Sequence, residues 1–365
     1  MDFAFSEEQQ MLGEQARSFL SNKIPPDRVA ELAEGGNAFD ESVWKEIAEL
    51  GWIGLSVPED KGGAGFGFIE EAVLFEELGR GLFPGPYFST VALALPALVN
   101  SPEALQKITT GAARATFAWA EPSGPDLLDD LDRLNTKAEQ TNGSWQLTGE
   151  KYLVPDAGSA SEVVVAAATA NGPALLLVSD ATVEAASTMD TLRPLGRLRL
   201  EGTEATLLVG PEETPSVVTQ IRRRADAALA LEAVGVAQRV LELAKEHATE
   251  RKQFDKSIGA YQAVSHQIAN TYVDTELARS LAYWAAWCVA ENDERVDVAV
   301  AAARSQAAEA AVLACERSIQ VHGGIGFTWE HILHRFYKRA QWIHSFDAPG
   351  TSQRAVIAEN LLDGK

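Results

Sequence analysis

The sequence predicts a mainly helical protein with a β-domain set into its middle. Three observations carry that expectation. Apolar residues recur at helical spacing over the first 110 or so positions, short β-rich runs fill the middle third, and long Ala/Leu-periodic stretches occupy the remainder. A chain of 365 residues has length for two or three cores. The expected division is an N-terminal helical domain over 1–111, a central β-domain over 112–217 and a C-terminal helical bundle over 218–365.

At the N-terminus, Ser6 with Gln9 forms a capping box ahead of Met11, Leu12, Ala16, Phe19 and Leu20 at helical spacing. Asp40 is the N-cap for a helix through Val43, Trp44 and Ile47, and Gly51 stops it. A glycine-rich loop, Asp60 to Gly67, precedes another helix from Phe68 to Leu78. Runs such as Thr116-Phe-Ala-Trp, Trp145-Gln-Leu-Thr, Lys151-Tyr-Leu-Val, Glu162-Val-Val-Val and Ala174-Leu-Leu-Leu-Val then read as strands, continued by Leu192 to Val209. Long helices follow over about 219–250, 258–291 and 295–319, and short connections between them make a bundle. Trp284 and Trp287 are expected in its core.

Composition narrows the function. Hydrophobic content of 46% is that of a globular protein, and no uninterrupted apolar run approaches the roughly 20 residues of a membrane span. Met1 to Ser6 leads straight into the first helix, the pattern of a chain without a signal peptide. The only cysteines, Cys288 and Cys315, lie in Ala-rich helical runs and read as buried thiols in a reducing, cytoplasmic setting. A net charge of −21 argues against a nucleic-acid partner. It also means that any phosphate site is built locally, from a few arginines and backbone amides.

Two segments have that chemistry. Glu250-Arg-Lys-Gln-Phe254 closes one long helix, and Gln320-Val-His-Gly-Gly-Ile-Gly-Phe327 breaks another. A cation after a helix and a Gly-Gly turn both approach phosphate well, the first by its planar fork and the second by baring N–H groups. Together and in this order they resemble the flavin-binding signatures of the acyl-CoA dehydrogenase family. The resemblance spans the chain: the opening Asp2-Phe-Ala-Phe-Ser-Glu-Glu-Gln-Gln, the segment Leu50 to Glu59 and the glycine-rich loop all look like the family's. It implies the family fold, with a β-barrel-like middle domain and a C-terminal four-helix bundle. It implies FAD as cofactor, an acyl-CoA substrate, an electron-transferring flavoprotein as electron acceptor and a homo- or hetero-tetramer. Arg251, Gln253 and Phe254 match the family's Arg-x-Thr/Gln-Phe element, with Ile258, Tyr261 and Gln262 following. The resemblance implies that these reach the flavin of a neighbouring subunit. Gln320, Gly323 and Gly324 match the segment that holds the adenosine and pyrophosphate end.

Two elements depart from the family. Trp119-Ala-Glu-Pro-Ser-Gly-Pro-Asp126 stands where Thr-Glu-Pro-Gly-Ala-Gly-Ser-Asp is usual, so Ala120 replaces a hydroxyl. Leu153-Val-Pro155 replaces Trp-Ile-Thr. Against the family pattern, the ring end of the flavin site is either weakened, as in a subunit that completes a partner's FAD site, or served by backbone amides.

The reaction implied needs a carboxylate to take a Cα proton, in an apolar place where the neutral acid is favoured. Glu232 is the only charged residue from Ala227 to Ala237, and Leu229, Val236, Val240 and Leu243 share its side of the helix. The pattern Ala-Leu-Glu232-Ala-Val-Gly is similar to the short, sterol-degrading branch of the family, in which it supplies the base. The alternatives are Asp347, two positions from Pro349 where the usual Glu falls, and Asp226 on the same helix as Glu232. A structural Glu232 bonded to a neighbouring helix also stays open. His331 and His334 lack a third metal-binding partner, and His322 reads as packing.

Overall fold

The computed structural model describes residues 5–36, 38–99, 101–122, 130–141, 143–179, 181–347 and 350–363. In chain order the helices are α1 (Glu7–Lys23), α2 (Pro26–Glu34), α3 (Glu41–Glu49), α4 (Phe68–Arg80), α5 (Leu95–Leu98), α6 (Pro102–Thr109), α7 (Thr214–Glu250), α8 (Gln262–Glu291), α9 (Val296–His322), α10 (Leu333–Ser345) and α11 (Gly350–Asp363). The strands are β1 (Ala115–Ala118), β2 (Lys137–Thr141), β3 (Ser144–Pro155), β4 (Glu162–Thr169), β5 (Gly172–Ser179), β6 (Val183–Ala186) and β7 (Leu195–Val209), with a small ribbon of β8 (Lys252–Gln253) and β9 (Lys256–Ser257). The protein is predominantly helical around a central β-domain, as the sequence predicts.

The chain folds as two compact units. One takes residues 1–31, 68–83 and 226–365, and the other 32–67 and 84–225. In the second unit β4, β2, β3, β7 and β5 pair in a ring that closes because β5 also pairs with β4. Closure leaves no free edge among those five strands. β1 adds to β4 in parallel and β6 to β7. Ala118, Leu147, Val154, Val163, Val165, Leu176, Val178, Leu198 and Leu200 fill the interior. The signal in β4 is a run of β-branched and small residues, Glu-Val-Val-Val-Ala-Ala-Ala-Thr, paired over its whole length with β5. Ahead of the strands, Phe88–Ala94 winds as a fully buried π-helix that no sequence pattern announced.

In the first unit α1 packs on α4, α4 on α8, α8 on α9, and α10 and α11 on α9. The capping box of Ser6 and Gln9 is formed, with Gln9 N donating to Ser6 Oγ at 3.2 Å. Both cysteines are buried free thiols. Trp284 and Trp287 are half-buried on α8, outside the core expected for them, because the packed face of α8 uses Ala278, Ala282, Ala285 and Ala286. Small side chains let α9 approach closely. That alanine content also makes the stretch Val296–Phe327 long and apolar enough to cross a membrane, against the sequence expectation. Its most apolar window is 61% buried inside the bundle.

α4 and α7 touch backbone to backbone. A Cβ on Gly79 would lie 2.1 Å from the Glu232 carbonyl oxygen, and one on Gly235 would lie 2.0 Å from that of Glu76. Each helix places a glycine where the other's carbonyl passes. Gly235→Ala is therefore expected to force the helices apart and to cost about 1–3 kcal/mol, the usual range for overpacking. Urea denaturation of the two proteins measures it, and an unchanged midpoint would show that the crossing relaxes freely.

Candidate active site

The two phosphate-type segments, far apart in sequence, meet at one end of the first unit. α7 ends at Glu250, and Phe254 and Asp255, with φ of 51° and 64°, turn the chain into the β8–β9 ribbon. Tyr261 Oη donates to the Gln253 carbonyl at 3.1 Å, Lys256 Nζ lies 4.4 Å from the centre of the Tyr261 ring, and Ile258 N donates to the Arg251 carbonyl at 2.8 Å. Tyr261 and Gln262 then open α8. Ala244, Ala248 and Val321 form a small core with Ile258, Val264 and Ile268, which joins the end of α7 and the start of α8 to the end of α9.

α9 stops at Gly323, whose φ of 64° is a conformation glycine adopts without cost. A Cβ on Gly323 or Gly324 would meet nothing within 4 Å, so the backbone there is open to close approach, although the Gly323 N–H itself donates to the carbonyls of Ile319 and Gln320. Gln320 is exposed beside them, and Arg251 is exposed, its guanidinium making no hydrogen bond or ion pair among the described residues. Phe254 is 87% exposed, Phe327 75% and Trp329 71%, an unusual amount of aromatic surface for one end of a bundle. The predicted residues Arg251, Gln253, Phe254, Ile258, Tyr261, Gln262, Gln320, Gly323 and Gly324 are thus brought together. An exposed guanidinium at the same end of the unit as an exposed glycine turn suits a diphosphate.

Behind that turn lies a stack the sequence did not reveal. His322 sits between His247, with ring centres 4.4 Å apart, and His331 at 4.7 Å. Its Nδ1–H donates to the Ser318 carbonyl at 2.8 Å, which leaves Nε2 as the bare nitrogen. Burial first, and the neighbouring rings after it, push the His322 pKa down to about 4 despite the Ser318 bond. Burial lowers His247 and His331 too, with Arg251 adding to the effect on His247. No group of three or more His, Cys, Asp or Glu among the described residues has the arrangement of a metal site.

The ring-end segments lie in the second unit. Ala120 is buried and its carbonyl accepts from Tyr152 N at 3.1 Å. Ser123 to Asp126 fall outside the described residues. Leu153 has φ of 53° and is 46% exposed, within a bulge of β3 against β7. A branched side chain there is a strained placement that the fold over-determines. Sequence reasoning gave no role to the pair that clamps this segment. Lys151 Nζ donates to Glu121 Oε1 at 2.6 Å and to the Trp119 carbonyl at 3.0 Å, and Glu121 also accepts from Asn135 N and Thr136 N. Burial pushes Lys151 down to about 8 against the pull of Glu121. Burial of Glu121 acts upward, but Lys151 and the Thr136 bonds hold its carboxyl below the usual range.

The expectation for Glu232 needs correction. It is 1% exposed, as the apolar arc required, but its Oε1 accepts from Arg339 Nη1 of α10 at 2.7 Å. Arg339 is fully buried and also donates to the Phe83 carbonyl at 3.4 Å. Periodicity on α7 could not show a counter-charge supplied 107 residues later in the sequence. A buried, paired carboxylate jammed against α4 has the character of a structural group. Asp226 is paired as well, with Arg304 at 3.3 Å. Asp347 lies in the turn after α10 with φ of 57°, and Pro349 falls outside the described residues. Two clefts of about 370 and 480 Å³ on the α1 and α4 side of this unit contain none of these residues.

Two expectations follow. Arg339→Met leaves Glu232 buried without its counter-charge and costs about 3–5 kcal/mol in urea denaturation. A loss under 1 kcal/mol would mean that the pair contributes little. Because the folded pKa of His322 lies below the ordinary ~6.5, the unfolded chain binds more protons between these values. Stability is then full above ~6.5 and is lost as pH falls from there through about 4. His322→Phe shrinks that loss in melting curves taken from pH 8 to pH 4, and an unaltered slope would remove His322 as its source.

The acyl-CoA dehydrogenase N-terminal domain matches residues 6–110 and the acyl-CoA dehydrogenase C-terminal domain residues 223–362. The acyl-CoA dehydrogenase IpdE2 of Mycobacterium tuberculosis is 32% identical over 336 residues, covering 92% of this chain and 91% of that protein. Among solved structures, the ChsE4–ChsE5 complex from Mycobacterium tuberculosis superposes with a TM-score of 0.88 at 29% identity over 99% of both chains. The Tcur3481–Tcur3483 steroid ACAD gives 0.85 at 28% identity over 98% of both. A match of this identity along nearly the whole length, on a chain whose flavin-type segments converge at one end of its bundle, places the chain in the acyl-CoA dehydrogenase family of oxidoreductases.

Proposed function

We propose that this chain carries out the α,β-dehydrogenation of an acyl-CoA thioester with FAD as cofactor. The observation that carries the reading is the convergence of the Arg251 segment with the exposed Gly323–Gly324 turn at one end of the first unit. Those groups fit the pyrophosphate of FAD, and Gln320 and Gln253 supply amide donors next to it. Phe254, Ile258, Tyr261 and Gln262 present a contact surface for the neighbouring subunit of a tetramer. The ring end fits less fully, since Ala120 and Pro155 offer no side-chain hydroxyl.

When bound, the flavin supplies the acceptor for the hydride that leaves Cβ. The chain's own part is to bind the cofactor and to take the Cα proton. Glu232 and Asp226 are closed off from solvent, so the carboxylate assigned to that proton is the half-buried Asp347, in the turn after α10. Similarity to a steroid ACAD favours a bulky, steroid-derived acyl group. An electron-transferring flavoprotein is the onward acceptor, and two buried free thiols suit the cytoplasm.

A second reading is favoured by Ala120 and Pro155: the chain completes the FAD site of a catalytic partner, and one similar solved structure is a two-protein complex. Counting released FAD per chain, with the protein expressed alone and with its partner, separates the two. The enzyme reading expects anaerobic bleaching of the bound flavin by acyl-CoA. Asp347→Asn is expected to slow that bleaching by ~10²–10⁴-fold, the usual worth of a positioned base. Glu232→Gln is expected to lose stability. Full rate in Asp347→Asn with none in Glu232→Gln returns the base to α7, and a flavin-free chain favours the second reading.

A further inference from the structure

Four segments meet at Arg304. This residue is on α9 and 2% exposed. Its Nε donates to Asp226 Oδ1 of α7 at 3.3 Å. Its Nη2 donates to the carbonyls of Ile343, in the last turn of α10, and of Phe346, the latter at 3.2 Å. Gln353 of α11, also 2% exposed, donates through Nε2 to Asp226 Oδ2 at 3.3 Å. Both Asp226 oxygens are therefore occupied. The Asp347 carboxylate is the other negative charge that acts on the Arg304 guanidinium.

We propose that Arg304 is the positioning residue of proton abstraction: it takes Asp226 out of use and holds the Phe346–Asp347 turn so that the Asp347 carboxylate takes the Cα proton. This rests on the dehydrogenation reading and on Asp347 as its base. A helix C-terminus leaves carbonyls without partners, and a guanidinium with several N–H groups satisfies two of them at once. Asp347 follows directly, at φ of 57°, a conformation that persists in a non-glycine residue only where its surroundings fix it. The bond to the carbonyl of Phe346 is such a fixture. Glu309, His344 and Arg354 line the same junction and are the further titratable or charged groups that face it. An arginine there keeps its charge at every working pH, so the turn is held without a protonation switch.

The step concerned is a proton transfer. The Cα–H bond breaks, its electron pair stays on carbon and is drawn toward the thioester oxygen, and the proton goes to Asp347. Run in reverse from heavy water it places deuterium at Cα and needs no oxidant.

The test uses the purified holoenzyme under anaerobic conditions in heavy water, with butyryl-CoA and octanoyl-CoA as probes and deuterium uptake read by mass spectrometry. Arg304→Met is expected to keep its flavin and to lower kcat of exchange by ~10²-fold, the cost of a base misplaced by about 1 Å, with KM little changed. The acid limb of its pH profile is expected to move upward, because Asp347 loses an adjacent positive charge. Arg304→Lys restores part of the rate. A scaffold role alone would lower flavin content and stability and leave the limb in place. Should Arg304→Met fail to fold, the limb in Arg304→Lys decides. Wild-type kcat and an unmoved limb in either variant overturn the proposal, as does Asp347→Asn exchanging at full rate. No exchange by the wild type on either probe defeats the dehydrogenation reading beneath it.

Discussion

The crossing of α4 and α7 is the constraint from which the first unit is built. Carbonyl oxygens of each helix pass where a side chain of the other would begin, so both positions are glycine. Contact that close leaves no room for water or for a side chain between the helices. It forces the polar Glu232 on α7 to find its partner elsewhere. Arg339 of α10 provides it and ties the same point to the carbonyl of Phe83, just beyond α4. Three segments distant in sequence are locked by one buried ion pair. Such a pair adds little net stability against a well-packed apolar alternative, but breaking it is expensive. It fixes α10, and through α10 the turn at Asp347.

Charge is handled in two ways in a chain of net −21. Inside, three buried acids each meet a buried base: Glu232 with Arg339, Asp226 with Arg304, and Glu121 with Lys151. At the end of the bundle Arg251 is exposed and its guanidinium has no ion pair among the described residues, and the Gly323–Gly324 turn and three histidines with lowered pKa lie at the same end. The acidic balance sets the background, and a small exposed patch of opposite character stands against it at this end.

A sequence alone does not single out a catalytic carboxylate, for a physical reason. A base and a structural acid look alike along a sequence, as single charged residues on apolar stretches. What separates them is whether the fold closes the carboxylate in with a counter-charge or leaves it partly exposed. For Glu232 that counter-charge comes from α10 and for Asp226 from α9, and neither is visible from α7 alone.

The sequence by itself determined the element types, because helical and strand periodicities are local and strong here. Ser6 and Gln9 cap α1, Asp40 caps α3, and the long alanine-rich runs became α7 to α9. It also determined the phosphate-type segments, since glycine turns and helix-end arginines are local chemistry. Tertiary structure alone decided that those segments share one end of the unit, that His247, His322 and His331 stack behind them, that β5 closes the β-ring onto β4, and that Glu232 is paired. Each of these is a contact between residues far apart in the chain. Spacing along a sequence encodes which face a residue occupies, and only the packed chain fixes what that face meets.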